Sequence, residues 1–509
     1  MYSVVYSVTL AGLQPVIVNV ETDAGDGLPY FDMSGYLAAQ VREAKERVRV
    51  AIKNTGIEIR PQRIVVNISP ADVRKAGTGF DLPIAIGILA ANGIIESSLL
   101  KNIVVIGELS LDGRVNKIKG VFPSILAARE RGFSACIIPE GNTDEGGIIE
   151  GIDVYGVKSL QQLVSMLQGK EKCLPVVYKG FGSMDGMNFN EDYRDIKGQV
   201  TAKRATMIAA AGMHNILYIG PPGSGKTMLA KRIPTIMPGL EPEEVMELTK
   251  IYSISGNLEN GGVITNRPFR APHHCVTKAG LLGGGAIPRP GEVTLASKGV
   301  LFLDELTEFP VNLMESLRQP LEDRYIRLVR ASEEYIYPAD FMLVAAMNPC
   351  KCGYYPDRTK CFCTEHDIMR YMGRISQPIW DRFDLSVKVG KVDFDMLVNN
   401  DDAHCRDEYS SCDMKNMVEK ARNIQKDRFS KEKILFNSQM NSRQVAKYCF
   451  LGVQEKTIME KAFDSFNMTA RGYEKILKTA RTIADIEGEE NIAVSHLGEA
   501  ISYRNNGIR

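Results

Sequence analysis

The chain has 509 residues, 44% of them hydrophobic and 24% charged, and its 62 basic and 62 acidic side chains cancel to a net charge of zero. That length allows roughly three domains with ample core, and the zero balance excludes a uniformly basic, nucleic-acid-coating protein, so any positive charge for such a partner must be local, in a groove or pore. No stretch is long and apolar enough to span a bilayer, the start MYSVVYSVTL lacks the basic region of a signal peptide, and ten cysteines without an export signal point to a reducing cytoplasm rather than to disulfides.

Residues 1–170 are predicted to form a mixed α/β domain. Alternation predicts strands over 4–10 and 15–21 around a turn at 11–14, a helix over 37–52 and a strand over 63–68. An apolar helix over 82–91 follows, then a strand over 103–107 with a tight turn at Leu111-Asp112-Gly113-Arg114, a helix over 121–131 and a strand over 135–138. Residues 171–193 lose periodicity and gain Gly, Pro and Met, as a linker does. Residues 194–390 alternate strand and helix patterns, and residues 391–509 are mainly helical with a polar break at 430–441.

The middle segment carries the chemistry. Gly220, Pro221, Pro222, Gly223, Ser224, Gly225, Lys226 and Thr227 fit G-x-x-x-x-G-K-[ST], between an apolar strand pattern at 214–219 and a helical one at 228–233. In such a loop the backbone N–H groups cradle the α/β-phosphates of ATP, Lys226 reaches the β/γ-phosphates and Thr227 ligates Mg²⁺. Residues 300–305, VLFLDE, are an apolar strand ending in two acids. Asp304 suits the metal's outer sphere, and Glu305 suits the base that orients the attacking water. Asn348 ends the apolar run 341–347, so it belongs at the C-terminal end of a strand, where α/β sheets bind ligands; the alternative is a turn-capping Asn before Pro349. Cys350, Cys352, Cys361 and Cys363 form C-x-C…C-x-C. In extended chain, residues i and i+2 share a face, so four thiolates can hold tetrahedral Zn²⁺, with Lys351, Arg358 and Lys360 offsetting charge and His366 able to replace one sulfur. The alternative is four reduced thiols in a surface loop.

The stretch from Arg270 to Asp323 (RAPHHCVTKAGLLGGGAIPRPGEVTLASKGVLFLDELTEFPVNLMESLRQPLED) resembles the magnesium-chelatase-like AAA+ ATPases of the ComM/YifB type. So do VAAMNPCKCGYYPD, RISQPIWDRFDLSVKV and TARGYEKILKTARTIADIEG, and with the N-terminal segment the resemblance covers nearly the whole chain. It implies an AAA+ P-loop core with a parallel sheet and a C-terminal helical lid. It also implies a cytoplasmic homo-hexamer, monomeric at rest, that hydrolyses ATP between subunits and drives branch migration of forked or branched DNA during natural transformation. Asn348 then resembles sensor 1 and Arg382, in Trp380-Asp381-Arg382-Phe383-Asp384, the arginine finger. Arg471, after the helix-capping Thr469, resembles a sensor 2 that reaches back to the γ-phosphate. The bland alternatives are ion pairs of Arg382 with Asp381 or Asp384 and of Arg471 with Glu474, and Arg481 rivals Arg471. Asp195–Gln199 resembles the segment beside the adenine ring. The glycine-rich insertion 280–291 and the hairpin 324–338 face the pore in relatives, which makes Arg289, Arg324, Arg327 and Arg330 candidates for DNA phosphates and Tyr325 for base stacking. Glu322, Asp323, Glu333 and Glu334 leave a solvated hairpin of mixed charge as the alternative. His273 and His274 look like a metal pair, but i,i+1 side chains diverge in regular structure, so a packing or hydrogen-bonding role is expected of them.

RKAGTGFDLPIAIGILAANG and GELSLDGRVNKIKGVFPSILAARERGFSACIIPEGN resemble the Lon protease proteolytic domain. The family's Ser and Lys positions fall at Gly79 and Phe122, which cannot act as nucleophile and base, although Thr78 and Lys119 lie close by. Two other functions stay open: a chelatase-type motor inserting metal into a tetrapyrrole, and an ATP-gated protein-binding adaptor.

Overall fold

The computed structural model describes residues 1–178, 180, 191–258, 262–285, 288–330, 333–391 and 409–505. Residues 181–190 of the expected linker and part of the glycine-rich insertion lie outside them.

The first domain is a seven-stranded sheet in the order β3-β4-β2-β1-β5-β6-β7. Its strands are β1 (Tyr2–Ala11), β2 (Gln14–Gly25), β3 (Tyr30–Ser34), β4 (Arg63–Ser69), β5 (Ile103–Val105), β6 (Ala135–Pro139) and β7 (Asp153–Val157). Helix α1 (Ala39–Asn54) buries Val41, Ala44, Val48, Ala51 and Ile52 along one stripe, the 3.6-residue spacing of a helix on a sheet. Helix α2 (Asp81–Ala91) is buried on every side. Strand β3 has no counterpart in the sequence reading: its burial alternates without ever becoming complete, as at a sheet edge. The expected linker is not free at its start, since Val176 N donates to Val154 O at 2.7 Å along the edge of β7.

Helix α3 (Val121–Glu130) joins this domain to the next. Gly120 N donates to Ser253 O at 3.0 Å and Lys119 Nζ to Ser255 O at 2.9 Å. The Ser253 hydroxyl donates to the buried Glu145 carboxylate at 2.6 Å. Both serines lie on helix α5 (Pro242–Ser255) of the motor, which follows α4 (Lys226–Lys231).

The motor sheet has five strands, all parallel: β9 (Phe269–Arg270), β10 (Val300–Leu303), β13 (Met342–Met347), β8 (Ile216–Ile219) and β14 (Leu385–Lys388), in that spatial order. Every residue of β8, β10 and β13 is buried, which is why they read as unbroken apolar runs rather than alternating ones. A separate antiparallel hairpin, β11 (Tyr325–Arg330) with β12 (Glu333–Pro338), follows α6 (Arg318–Asp323). The C-terminal part is helical. Its longest helices, α7 (Ser411–Arg428) and α8 (Ala470–Glu487), pack on the motor together with α9 (Val494–Asn505). The Thr469 hydroxyl caps α8 by accepting from Gly472 N at 3.1 Å, and Gly488 ends it at φ +78°.

Candidate functional site

The C-terminal ends of three adjacent strands build one pocket. The phosphate-loop motif follows β8, Asp304 and Glu305 follow β10, and Asn348 follows β13. Lys226 Nζ donates to Gly220 O and Pro221 O at 2.8 Å each and to Asn348 Oδ1 at 3.2 Å. Burial lowers its pKa against the pull of Asp304 and Glu305. Thr227 Oγ1 donates to Asp304 Oδ2 at 2.8 Å. Glu305 takes a left-handed backbone at φ +51°, and its N–H donates to Asp304 Oδ1 at 3.0 Å. Gln199 Nε2 donates to Gly390 O at 2.7 Å and reaches Ser224 O at 3.5 Å, which sets the 195–199 segment beside the loop.

Arg382 and Arg471 are elsewhere. Asn215 begins β8 at the opposite edge of the sheet; its side chain donates to Arg382 O at 2.9 Å and accepts from Leu343 N at 2.8 Å. Asn215 and Gly220 flank the four residues of β8, five chain steps apart, or about 16 Å at ~3.3 Å per residue, farther than an arginine side chain reaches. Neither arginine makes the ion pair that is the alternative reading for it. Arg382 Nη2 donates to Glu322 Oε2 at 2.7 Å, and Arg471 Nη2 to Glu322 Oε1 at 2.8 Å. Arg471, expected to reach back to its own nucleotide, here joins Arg382 at Glu322. Arg481 is no rival. It is buried against Asp485 and donates to Glu489 O and Glu490 O.

The four cysteines converge between Asn348 and the Arg382 segment. The sulfurs of Cys350, Cys352 and Cys361 lie 3.3–3.7 Å apart, and with Cys363 all four lie within 4.8 Å of one another. Sulfurs about 2.3 Å from a tetrahedral Zn²⁺ would lie about 3.8 Å apart, so the cluster fits that ion. His366 stands outside it, facing Arg370. Gly353 ties this loop to the phosphate loop: it has φ +83°, and a Cβ there would fall 2.5 Å from Pro222 Cδ.

The insertions depart from expectation. Arg324 pairs with Asp340, which also takes Lys298 at 3.0 Å and Gln439. Burial raises the Asp340 pKa, but Arg324 and Lys298 outweigh it and hold the carboxyl below its usual range. Arg324 is thus a structural cation rather than one free for phosphate. Arg327 pairs with Glu334 across the hairpin at 2.7 Å, Arg289 is exposed, and the Arg330 side chain lies outside the described residues. The Tyr337 hydroxyl donates to Pro288 O at 3.0 Å and Tyr335 packs on Gly12, so the hairpin rests on the other insertion and on the first domain. His273 and His274 do not diverge: their rings lie 4.0 Å apart, grouped with Cys275. In the first domain Phe122 is sealed in the core. Gly79 and Thr78 line a cavity of about 390 Å³ with Lys117, Lys119 and Arg289, and Lys119 is committed to Ser255.

Three family models match the chain: magnesium chelatase subunit ChlI over residues 192–397, subunit ChlI of Mg-chelatase over 20–142, and the ChlI C-terminal part over 408–504. Competence protein ComM of Haemophilus influenzae is 41% identical, covering 99% of this chain and 97% of that protein. The chain belongs to the ComM/YifB family. The YifB protein of Salmonella typhimurium is 37% identical with the same coverage of 99% and 97%. Lon protease 2 of Bacillus subtilis is 30% identical over 179 residues, 31% of this chain and 32% of that protein, which agrees with the Lon-like mixed α/β first domain. The family implies ATP and Mg²⁺, and the pocket fits them. Ser224 Oγ is buried in the loop with no hydrogen-bond partner, and a Cβ at Gly220 would fall 2.1 Å from Val389 O, so the loop is packed with a donor to spare. Thr227 and Asp304 would hold Mg²⁺, which offsets charge on the β- and γ-phosphates.

Gly353→Ala forces a side chain into a left-handed conformation, at about 1–2 kcal/mol, and against Pro222. It should weaken ATP binding by roughly tenfold in a fluorescent-nucleotide titration. An affinity within twofold of wild type would show that the cysteine loop does not brace the phosphate loop.

Proposed function

We propose that the chain is an ATP-hydrolysing ring motor acting on branched DNA, a helicase promoting branch migration in recombination or natural transformation. The carrying observation is the division of the ATP machinery. Lys226, Thr227, Asp304, Glu305 and Asn348 meet at one edge of the sheet, while Arg382 and Arg471 meet at the other. A guanidinium that offsets charge on the transferring phosphoryl group must then come from a neighbouring subunit, and a head-to-tail interface of that kind closes into a ring; the family's form is a homo-hexamer. Glu305 orients the attacking water, Asn348 holds it with Lys226, and the neighbour's Arg382 and Arg471 complete the site. The full-length relative named competence protein ComM supports the DNA reading over the chelatase one. Among the described candidate arginines, Arg289 is exposed, whereas Arg324 and Arg327 are paired with Asp340 and Glu334.

Comparing ATPase activity with forked DNA, with porphyrin plus metal, and with neither separates the readings. Forked DNA should raise the rate severalfold with a steep salt dependence. Stimulation by tetrapyrrole alone would replace the DNA motor with a chelatase, and no response to either would favour the adaptor.

The cysteine cluster is proposed to carry structural zinc. Elemental analysis of untagged protein should find about one zinc per subunit, lost in a Cys350→Ser, Cys352→Ser double variant. Freshly purified protein without zinc would return the cluster to free thiols.

A further inference from the structure

Glu322 is the carboxylate that Arg382 and Arg471 share, and nothing in the phosphate-loop chemistry calls for it. It lies on α6, 60 residues from Arg382 and 149 from Arg471. Its two oxygens are divided, one to each guanidinium. The other acids near Arg382 are taken: Asp384 by Lys475 at 2.8 Å and Asp381 by Arg504 at 3.6 Å. The Arg382 side chain is only 11% exposed, yet its Nε is buried with no hydrogen-bond partner. Its guanidinium is therefore held in place but short of anionic contacts. Arg471 and Glu322 are open to water, at 65% and 51%.

We propose that Glu322 is a positioning residue that stands in for the γ-phosphate of the neighbouring subunit. It keeps Arg382 and Arg471 side by side in the free chain and is displaced when the neighbour's nucleotide arrives. A carboxylate and a phosphoryl group offer guanidinium the same fork of oxygens. Without an anion between them the two cations would repel. The Arg471–Glu322 pair is open to water on both sides and contributes little, and the Glu322 end of the Arg382 pair is open too, whereas a phosphate in a closed interface makes stronger charge-assisted bonds, so the exchange runs toward phosphate. The carboxylate left beside an incoming γ-phosphate is a like charge, so assembly works against it.

This inference rests on the reading of a ring with shared sites, and sedimentation of the full chain tests the two separately. With Mg²⁺ and a non-hydrolysable ATP analogue, Glu322→Gln should assemble at a three- to tenfold lower protein concentration than wild type. With ADP the two curves should coincide, because no γ-phosphate is present to compete. Glu322→Asp, which restores the charge, should return toward wild type, and in an Arg382→Ala, Arg471→Ala background the Glu322→Gln shift should vanish. Thermal melting confirms that each variant folds. A Glu322→Gln curve that matches wild type, or moves equally with ADP, overturns the role of Glu322 while leaving the ring intact. A wild-type chain that never assembles with the analogue overturns the ring reading and this one with it.

Discussion

The five strands of the motor sheet all run the same way, and that polarity decides where each part of the ATP chemistry can sit. Parallel strands bring all their C-terminal ends to one edge. That edge collects the phosphate loop, the Asp304–Glu305 acids and Asn348 into hydrogen-bond distance, as the Lys226–Asn348 and Thr227–Asp304 contacts show. The N-terminal ends form the other edge, where Asn215 binds the Arg382 backbone. The sheet that builds the pocket thereby keeps these two arginines out of it.

The arginine edge is braced as firmly as the pocket. Asp384 is buried, which opposes its ionisation, but Lys475 and His214 outweigh that and hold its carboxyl well below the usual range. It also accepts from Asn215 N at 2.8 Å. Lys475 stands one turn beyond Arg471 on α8 and donates to Arg382 O at 2.8 Å, and Arg504 of α9 donates to Phe383 O at 2.6 Å. Breaking a buried pair of this kind typically costs about 3–5 kcal/mol. Helix α8 and the Arg382 turn are therefore tied together by buried contacts. The first domain is attached at α5 through Lys119 and Gly120, which bond Ser255 O and Ser253 O.

What the sequence made legible was local. Gly220–Thr227 form one contiguous loop, Asp304 and Glu305 end an apolar run, and Asn348 ends another, so spacing and strand context were enough. The cysteines too lie within a short span and converge as expected, although Cys350 and Cys352 do so in a turn rather than in the extended chain that the i,i+2 argument assumed. Glu322 could not be read, because its partners are 60 and 149 residues away and its neighbourhood looks like an ordinary charged surface. The same holds for Arg324, whose charge suggested DNA phosphate until Asp340 and Lys298 appeared beside it. Family resemblance suggested a catalytic Arg471, whose partner Glu322 lies 149 residues away in sequence and could not be read from the neighbouring residues. His273 and His274 pack and hydrogen-bond as expected, His274 against Phe309 and His273 accepting from Cys275 N, but their rings lie together because the diverging rule applies to regular elements and this segment is irregular.

The most direct test of a divided ATP site is subunit mixing. Arg382→Ala lacks the arginine and Lys226→Ala lacks the pocket, so each chain alone should bind or assemble but hydrolyse ATP poorly. In mixed rings up to about a quarter of the interfaces join an intact pocket to an intact Arg382, and the account predicts that ATPase activity returns on mixing. Full activity in Arg382→Ala alone, or no recovery in rings shown to contain both chains, would contradict it.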